Sequence, residues 1–159
     1  MITVSRTLPI NAGRPAGEPP LTRRQVWQGL VMKAENPVPF VESMDACRIV
    51  ERTADGLVRD CDSRGETMRE RITYTPMEKV EFVRLKSKAM GTILNEIVDD
   101  PRDGLSLRFT FSLEPEGIAP GSAEEKAFAQ DIGKSYLNAV NTTIATLRRL
   151  VREGALAAE

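Results

Sequence analysis

The feature that most limits how this chain can fold is a helical pattern too long to be wrapped inside anything. After "EPEGIAPG", Ser122 stands as an N-cap, Glu125 falls at the third helical position, and Gly154 marks a stop. The intervening helix, expected over 123–153, measures roughly 45 Å at 1.5 Å per residue. Phe128, Ile132, Tyr136, Val140, Thr143, Leu147 and Val151 recur at three and four residues along it, so one continuous stripe needs a partner surface. Gly133 and the Thr142–Thr143 pair thin that stripe near its middle. A space beneath the helix and a close helix–sheet contact explain them equally well.

The preceding segments supply the partner. In "LSLRFTFSL", Leu105, Leu107, Phe109, Phe111 and Leu113 face one way and Ser106, Arg108, Thr110 and Ser112 the other. "CRIVERT", "LVRDCDS", "ETMRERITY", "KVEFVRLKS" and "TILNEIV" read as five further strands, and "ITVSRTLPI" as a half-buried first strand ending near Pro9. The breaks between them are turn formers: Ala54-Asp55-Gly56 as a three-residue hairpin loop with Gly56 at a left-handed position, Arg64-Gly65, the Thr75–Glu78 loop, and "DDPRDG". Residues 11–20, "NAGRPAGEPP", form a Gly/Pro-rich connector. Thr22 with Gln25 then makes a capping box for a helix on which Val26, Trp27, Leu30, Val31 and Ala34 form the apolar stripe and Arg23, Arg24, Gln28 and Lys33 lie off it. "NPVPF" ends that helix, because each proline removes a donor and turns its predecessor away from helical geometry. A short second helix or turn carrying Phe40 and Val41 is expected next. The order is strand, helical pair, six strands, long helix, which is an α+β arrangement in one domain over 1–159. A curved sheet of about seven antiparallel strands cannot fill its own concavity, so the long helix lies across the opening and the Trp27 helix closes an end.

Charge and residue types narrow the function. Lys plus Arg is 22 against 23 for Asp plus Glu, so the basic surplus that phosphate contacts demand is missing, and a nucleic-acid partner is not expected. No apolar run of membrane-spanning length and no secretion signal is evident, which makes the cytoplasm the default compartment. Cys47 and Cys61 stand at no metal-ligand spacing and read as reduced core residues. Histidine is absent. Ser-His-Asp and Cys-His nucleophile systems and His-ligated metal sites are thereby excluded, leaving carboxylates, arginine, lysine, tyrosine and backbone dipoles. Neither a metal nor an organic cofactor is expected. Oligomeric state is not legible, and a homodimer stays compatible with the sequence.

The segments "VWQGLVMKAENPVPFV", "ESMDACRIVERTADG", "RERITY" and "DGLSLRFTF", in this order, resemble the START-like (birch-pollen-allergen-like) helix-grip superfamily over nearly the whole chain. Within it the chain is similar to the AtaL-like family. The resemblance implies a curved antiparallel sheet gripping a C-terminal helix over an internal cavity. The superfamily includes lipid and hormone carriers, aromatase/cyclase domains and subunits of ring-hydroxylating enzymes, so fold leaves the activity open.

Strand pairing proposes a site. Pairing Thr53 with Leu57, Ser63 with Glu66 and Tyr74 with Val80 sets Glu51, Arg59, Glu70 and Arg84 in one row of alternating charge. The same face carries Ile49, Cys61, Met68, Ile72, Tyr74, Val80 and Phe82. Inside a cavity the row would be a polar anchor, with an arginine fork for a ligand carboxylate, phosphate or enolate and Glu70 as the candidate proton carrier. At the sheet's end it would be a structural ion-pair ladder open to water. A slip of one residue at any turn would move part of it outside. Asn95 and Glu96 are neighbours, only one of which can face inward. Tyr74 and Tyr136 read as core residues whose hydroxyls find partners. The expected ligand-facing set is Trp27, Arg59, Glu70, Ile72, Tyr74, Phe82, Arg84, Asn95, Phe109, Phe111 and Tyr136. The function expected is binding of a small apolar or amphipathic molecule. The alternative is a polyketide cyclase/dehydratase-like enzyme using cavity carboxylate and arginine groups.

Overall fold

In the computed structural model, which describes residues 1–156, β1 (Ile2–Pro9) leads to α1 (Arg23–Glu35). β2 (Met44–Thr53), β3 (Gly56–Ser63), β4 (Glu66–Thr75), β5 (Lys79–Lys86), β6 (Ala89–Asp100) and β7 (Gly104–Pro115) follow, and α2 (Ala123–Arg152) closes the chain. The strands form one antiparallel sheet in the order β1-β7-β6-β5-β4-β3-β2. Consecutive strands from β2 to β7 are neighbours through short turns, and β1 returns to pair with β7. One face is covered by α2 and α1, and Leu107, Phe109, Phe111 and Leu113 from β7 are almost wholly buried between the layers.

Both helices begin as their caps dictate. Thr22 Oγ1 accepts from Gln25 N at 3.1 Å and Gln25 Oε1 accepts from Thr22 N at 3.0 Å, so the capping box is complete. Ser122 Oγ accepts from Glu125 N at 3.2 Å, and α2 ends at Glu153 before Gly154, whose φ is 73°. Asn11 bridges the connector, donating to Leu21 O at 2.8 Å and accepting from Leu21 N at 2.7 Å, which brings β1 and α1 together.

Three local expectations change. The "NPVPF" segment forms turns and no second helix: the amides of Phe40 and Val41 both donate to Pro37 O, and the two prolines cannot supply the donors a helix needs. The β2–β3 hairpin turns on Ala54-Asp55, with Thr53 opposite Gly56, and Gly56 is an ordinary strand residue with no left-handed φ. A side chain there would collide with the carbonyl of Ile72 on β4, which is why glycine stands at that point. Finally, the two-residue turn sets Glu51 opposite Val58, with the Glu51 side chain exposed, and a bulge between Ile49 and Glu51 then brings Ile49 opposite Arg59. Glu51 therefore leaves the charged row. The remaining pairings, Arg59 with Glu70, Ile72 with Phe82 and Glu70 with Arg84, stand as the turn at Arg64-Gly65 and the loop before β5 set them.

Gly133 marks the close-contact alternative: a Cβ there would lie 2.8 Å from Arg6 Nη2, against β1. The hollow lies elsewhere. β5 and β6 pair only from Lys79–Glu96 to Val83–Thr92, so they part toward the Ser87–Lys88 turn, beside the first half of α2.

Candidate functional site

A cavity of about 430 Å³ lies between the concave sheet and α2. Its outer end is framed by the exposed residues Arg64, Lys88 and Glu116, and its wall along α2 by Phe128, Ile132, Tyr136 and Ala139. Phe82, Ile93 and Phe109 form the apolar floor. At the buried end stand Lys33, Arg59, Glu70 and Asn95, exposed by only 6%, 3%, 2% and 1%, with Arg84 beside them.

The charged residues are locked by one another. Arg59 Nε and Nη2 both donate to Glu70 Oε1, at 3.1 and 2.9 Å. Its Nη1 donates to the carbonyls of Lys33 and Ala34, at 3.1 and 2.7 Å. Those carbonyls belong to the last turn of α1, where no intrahelical donor is available and the helix dipole favours a cation. Arg59 is thus spent on joining α1 to β4, and the expected fork for a ligand is already occupied. Glu70 in turn is 3.7 Å from Arg84 Nε through its second oxygen. Two charge-assisted hydrogen bonds and an ion pair thus converge on this one carboxylate.

Arg84 Nη1 donates to Ala89 O at 3.0 Å, tying β5 to β6 where the strands part. Its Nε, and Nδ2 of Asn95, are buried nitrogens without a hydrogen-bond partner. Asn95 faces inward and Glu96 outward, where Glu96 accepts from Arg108 Nε and Nη2, both at 3.2 Å. Register alternation settles in the structure what the loop sequence left open.

Lys33 lies inside, opposite to its expected place off the apolar stripe. Its Nζ donates to Asn95 Oδ1 at 2.8 Å and stands 5.0 Å from the ring centres of both Phe82 and Phe109. Among the described residues it forms no ion pair. Burial, and then the Arg59 cation, bring its ammonium down to about 7, with Glu70 pulling the other way. The signal was present in the sequence: Lys33 is seven residues after Val26 and three after Leu30, on the buried face. Residue type argued against position, and position won.

Of the residues expected to face the ligand, Arg59, Glu70, Phe82, Arg84, Asn95, Phe109 and Tyr136 surround the cavity. Trp27, Ile72, Tyr74 and Phe111 lie outside its wall. Trp27 is half-buried and meets Tyr74 edge-on at 6.0 Å. Ile72 is core, and Phe111 stacks behind Tyr136 at 4.5 Å. Burial raises the Tyr136 hydroxyl to about 12. Of the two arginines opening α1, Arg24 is exposed but Arg23 donates to Met77 O at 2.7 Å and pairs with Asp99 at 2.8 Å. Among the described residues no helix is long and apolar enough to cross a membrane.

A bent seven-stranded sheet clasping a terminal helix over a partly charged hollow is the helix-grip fold, the START-like, Bet v 1-like architecture. Solved structures of this shape include the ZhuI aromatase/cyclase from Streptomyces sp. R1128, with a TM-score of 0.65 and 15% identity over 94% of this chain and 95% of that one. Ara h 8.0201 superposes with a TM-score of 0.60 and 12% identity, covering 92% of this chain and 97% of that one. The di-domain ARO/CYC StfQ from the steffimycin biosynthetic pathway gives 0.65 and 16% over 96% of this chain, which spans 52% of StfQ. The sequence model of the AtaL family, described as Acetylaranotin biosynthesis cluster protein L, matches residues 4–154, and the chain belongs to that family. A curated relative of the same description from Aspergillus terreus is 26% identical over 157 residues, covering 96% of this chain and 92% of the relative.

Proposed function

We propose that the cavity binds one small amphipathic molecule, apolar over most of its length and ending in a hydrogen-bond-accepting oxygen. The observation carrying this reading is Asn95 Nδ2, a buried nitrogen without a hydrogen-bond partner, together with Arg84 Nε, which makes only a 3.7 Å ion pair with Glu70, at residues that border an otherwise aromatic and aliphatic hollow. A buried N–H without an acceptor costs on the order of 1–3 kcal/mol, and a ligand oxygen would recover it. Lys33, Arg59 and Arg84 outnumber the single carboxylate of Glu70 at this end, which favours a carboxylate, enolate or carbonyl head over a cationic one. Native mass spectrometry with decanoate, decan-1-ol and decylamine tests it. A one-to-one complex is expected with the acid and the alcohol, and weaker uptake of the amine. Failure of all three, or preference for the amine, overturns the reading.

The second reading is chemistry of the cyclase/dehydratase kind. Two observations favour it: aromatase/cyclases share this fold, and a lysine without a counter-ion borders the cavity. Glu70, the acid–base candidate suggested by the sequence, is better suited to holding Arg59 in place than to moving protons.

A further inference from the structure

Lys33 is the one lysine of this chain that is buried; Lys79, Lys86, Lys88, Lys126 and Lys134 are all exposed. A buried ammonium is ordinarily matched by a carboxylate, because removal from water is otherwise unfavourable. Here the nearby carboxylate of Glu70 is bonded to Arg59 and flanked by Arg84, while Lys33 has an amide oxygen and two phenyl rings. Such an environment lets the amine exist without its extra proton. With the value near 7, about half of the Lys33 side chains carry a free amine at neutral pH. For an unperturbed surface lysine the fraction is smaller by a factor on the order of a thousand. Apolar surroundings next to another cation are one way proteins turn a lysine into a nucleophile.

We infer that Lys33 condenses with an aldehyde or ketone carbonyl of the cavity's ligand to form an imine. The Nζ lone pair attacks the carbonyl carbon, the carbonyl π pair moves to oxygen, and a proton passes from nitrogen to that oxygen to give a carbinolamine. The carbon–oxygen bond then breaks and water leaves, both of its hydrogens derived from the amine. Nothing is oxidised or reduced, and hydrolysis reverses the step. Asn95 holds Nζ through its oxygen, and its unpartnered Nδ2 lies on the same amide, placed to donate to the carbonyl oxygen as charge develops there. When the neutral imine nitrogen then takes up a proton from solvent, the cation withdraws electrons from the adjacent carbon and makes its C–H acidic, the activation that aldol-type ring closure requires.

This inference rests on the cavity being a ligand site, and the test separates the two. Full-length protein is incubated with nonanal and cyanoborohydride at pH 7, which converts an imine irreversibly into a secondary amine, and the modified lysines are mapped by peptide mass spectrometry. In parallel, binding of nonan-1-ol, which has no carbonyl, is followed by native mass spectrometry. The expected result is alkylation of Lys33 at least about a hundredfold faster than of any surface lysine, given the difference in free amine. Excess nonan-1-ol should suppress labelling of Lys33 and leave the surface lysines unaffected. Lys79→Met, at an exposed position outside the cavity, should bind the alcohol and keep the fast adduct, whereas Lys33→Met should lose the fast adduct. Alcohol bound with Lys33 labelled no faster than Lys79 overturns the imine and leaves the binding site standing. If neither compound enters, the cavity reading falls and the imine falls with it.

Discussion

Lys33 Nζ donates a 2.8 Å hydrogen bond to Asn95 Oδ1, joining the last turn of α1 to β6 across the buried end of the cavity. The pairing is unusual in what it lacks: the cation has a neutral acceptor and faces aromatic rings, while the neighbouring carboxylate is held by arginines. Four consequences of this arrangement, and of the packing that imposes it, can be measured.

The first is a pH dependence. Burial and the Arg59 cation hold Lys33 at about 7 in the folded chain, against an ordinary 10.5, while Glu70 and Cys61 pull it upward. Below pH 7 both folded and unfolded chains carry the proton, and the cost of burying the cation is fully present. Between pH 7 and 10.5 only the unfolded chain keeps it, so this group makes the protein more stable as pH rises, by up to about 1.4 kcal/mol per pH unit. Lys33→Met removes the group. In urea unfolding the variant should exceed the wild type most at about pH 6, with the gap closing toward about pH 10. A gap of constant size would show that burial does not shift this lysine.

Asn95→Leu takes away the acceptor for Lys33 and the unpartnered amide nitrogen together. Affinity for decanoate should fall by roughly tenfold or more, the worth of one hydrogen bond in a dry site. Asn95→Asp, which offers Lys33 an anion, should restore stability while repelling the fatty acid. Calorimetric titration of both variants against the wild type checks this, and wild-type affinity for decanoate in both would remove Asn95 from the site.

Glu70→Gln leaves Arg59 and Arg84 buried without their shared carboxylate. Removing one partner of a buried pair costs about 3–5 kcal/mol. Since Arg59 also caps α1, the loss should appear as early unfolding of that helix, read by amide hydrogen exchange over residues 23–35. Loss of stability below about 1 kcal/mol would mean that water reaches the pair.

Gly29→Ala tests the contact between the helices. A Cβ at Gly29 would run into the side chain of Leu147 on α2, a residue with no solvent exposure. Overpacking of this kind costs about 1–3 kcal/mol, despite alanine's better helix propensity. Thermal unfolding checks it, and a stabilised variant would show that the two helices separate readily.

Much of the fold was legible because its signals are local. Alternation in "LSLRFTFSL", the cap at Ser122, the stop at Gly154 and the Thr22–Gln25 box each depend on residues within a few positions of one another. The turn at Arg64-Gly65 fixed the Arg59–Glu70 pairing, since φ values of 49° and 79° there suit a two-residue hairpin. The bulge in β2 was not legible: no glycine or proline announces it, and Val50 simply drops out of the ladder, bringing Ile49 opposite Arg59. Lys33 was misplaced because a long cationic side chain normally reaches water.

By itself, then, the sequence determined the order of elements, the class of fold, the inward face of most strands and the exclusion of histidine chemistry. These follow from short-range periodicity and from which residue types exist at all. Tertiary structure alone decided where the remaining groups turn: Arg59 gave Nη1 to the end of α1, Asn95 turned inward, and Lys33 was left with an amide and two rings. Those outcomes depend on distances between elements far apart in the chain and on how much water remains between them.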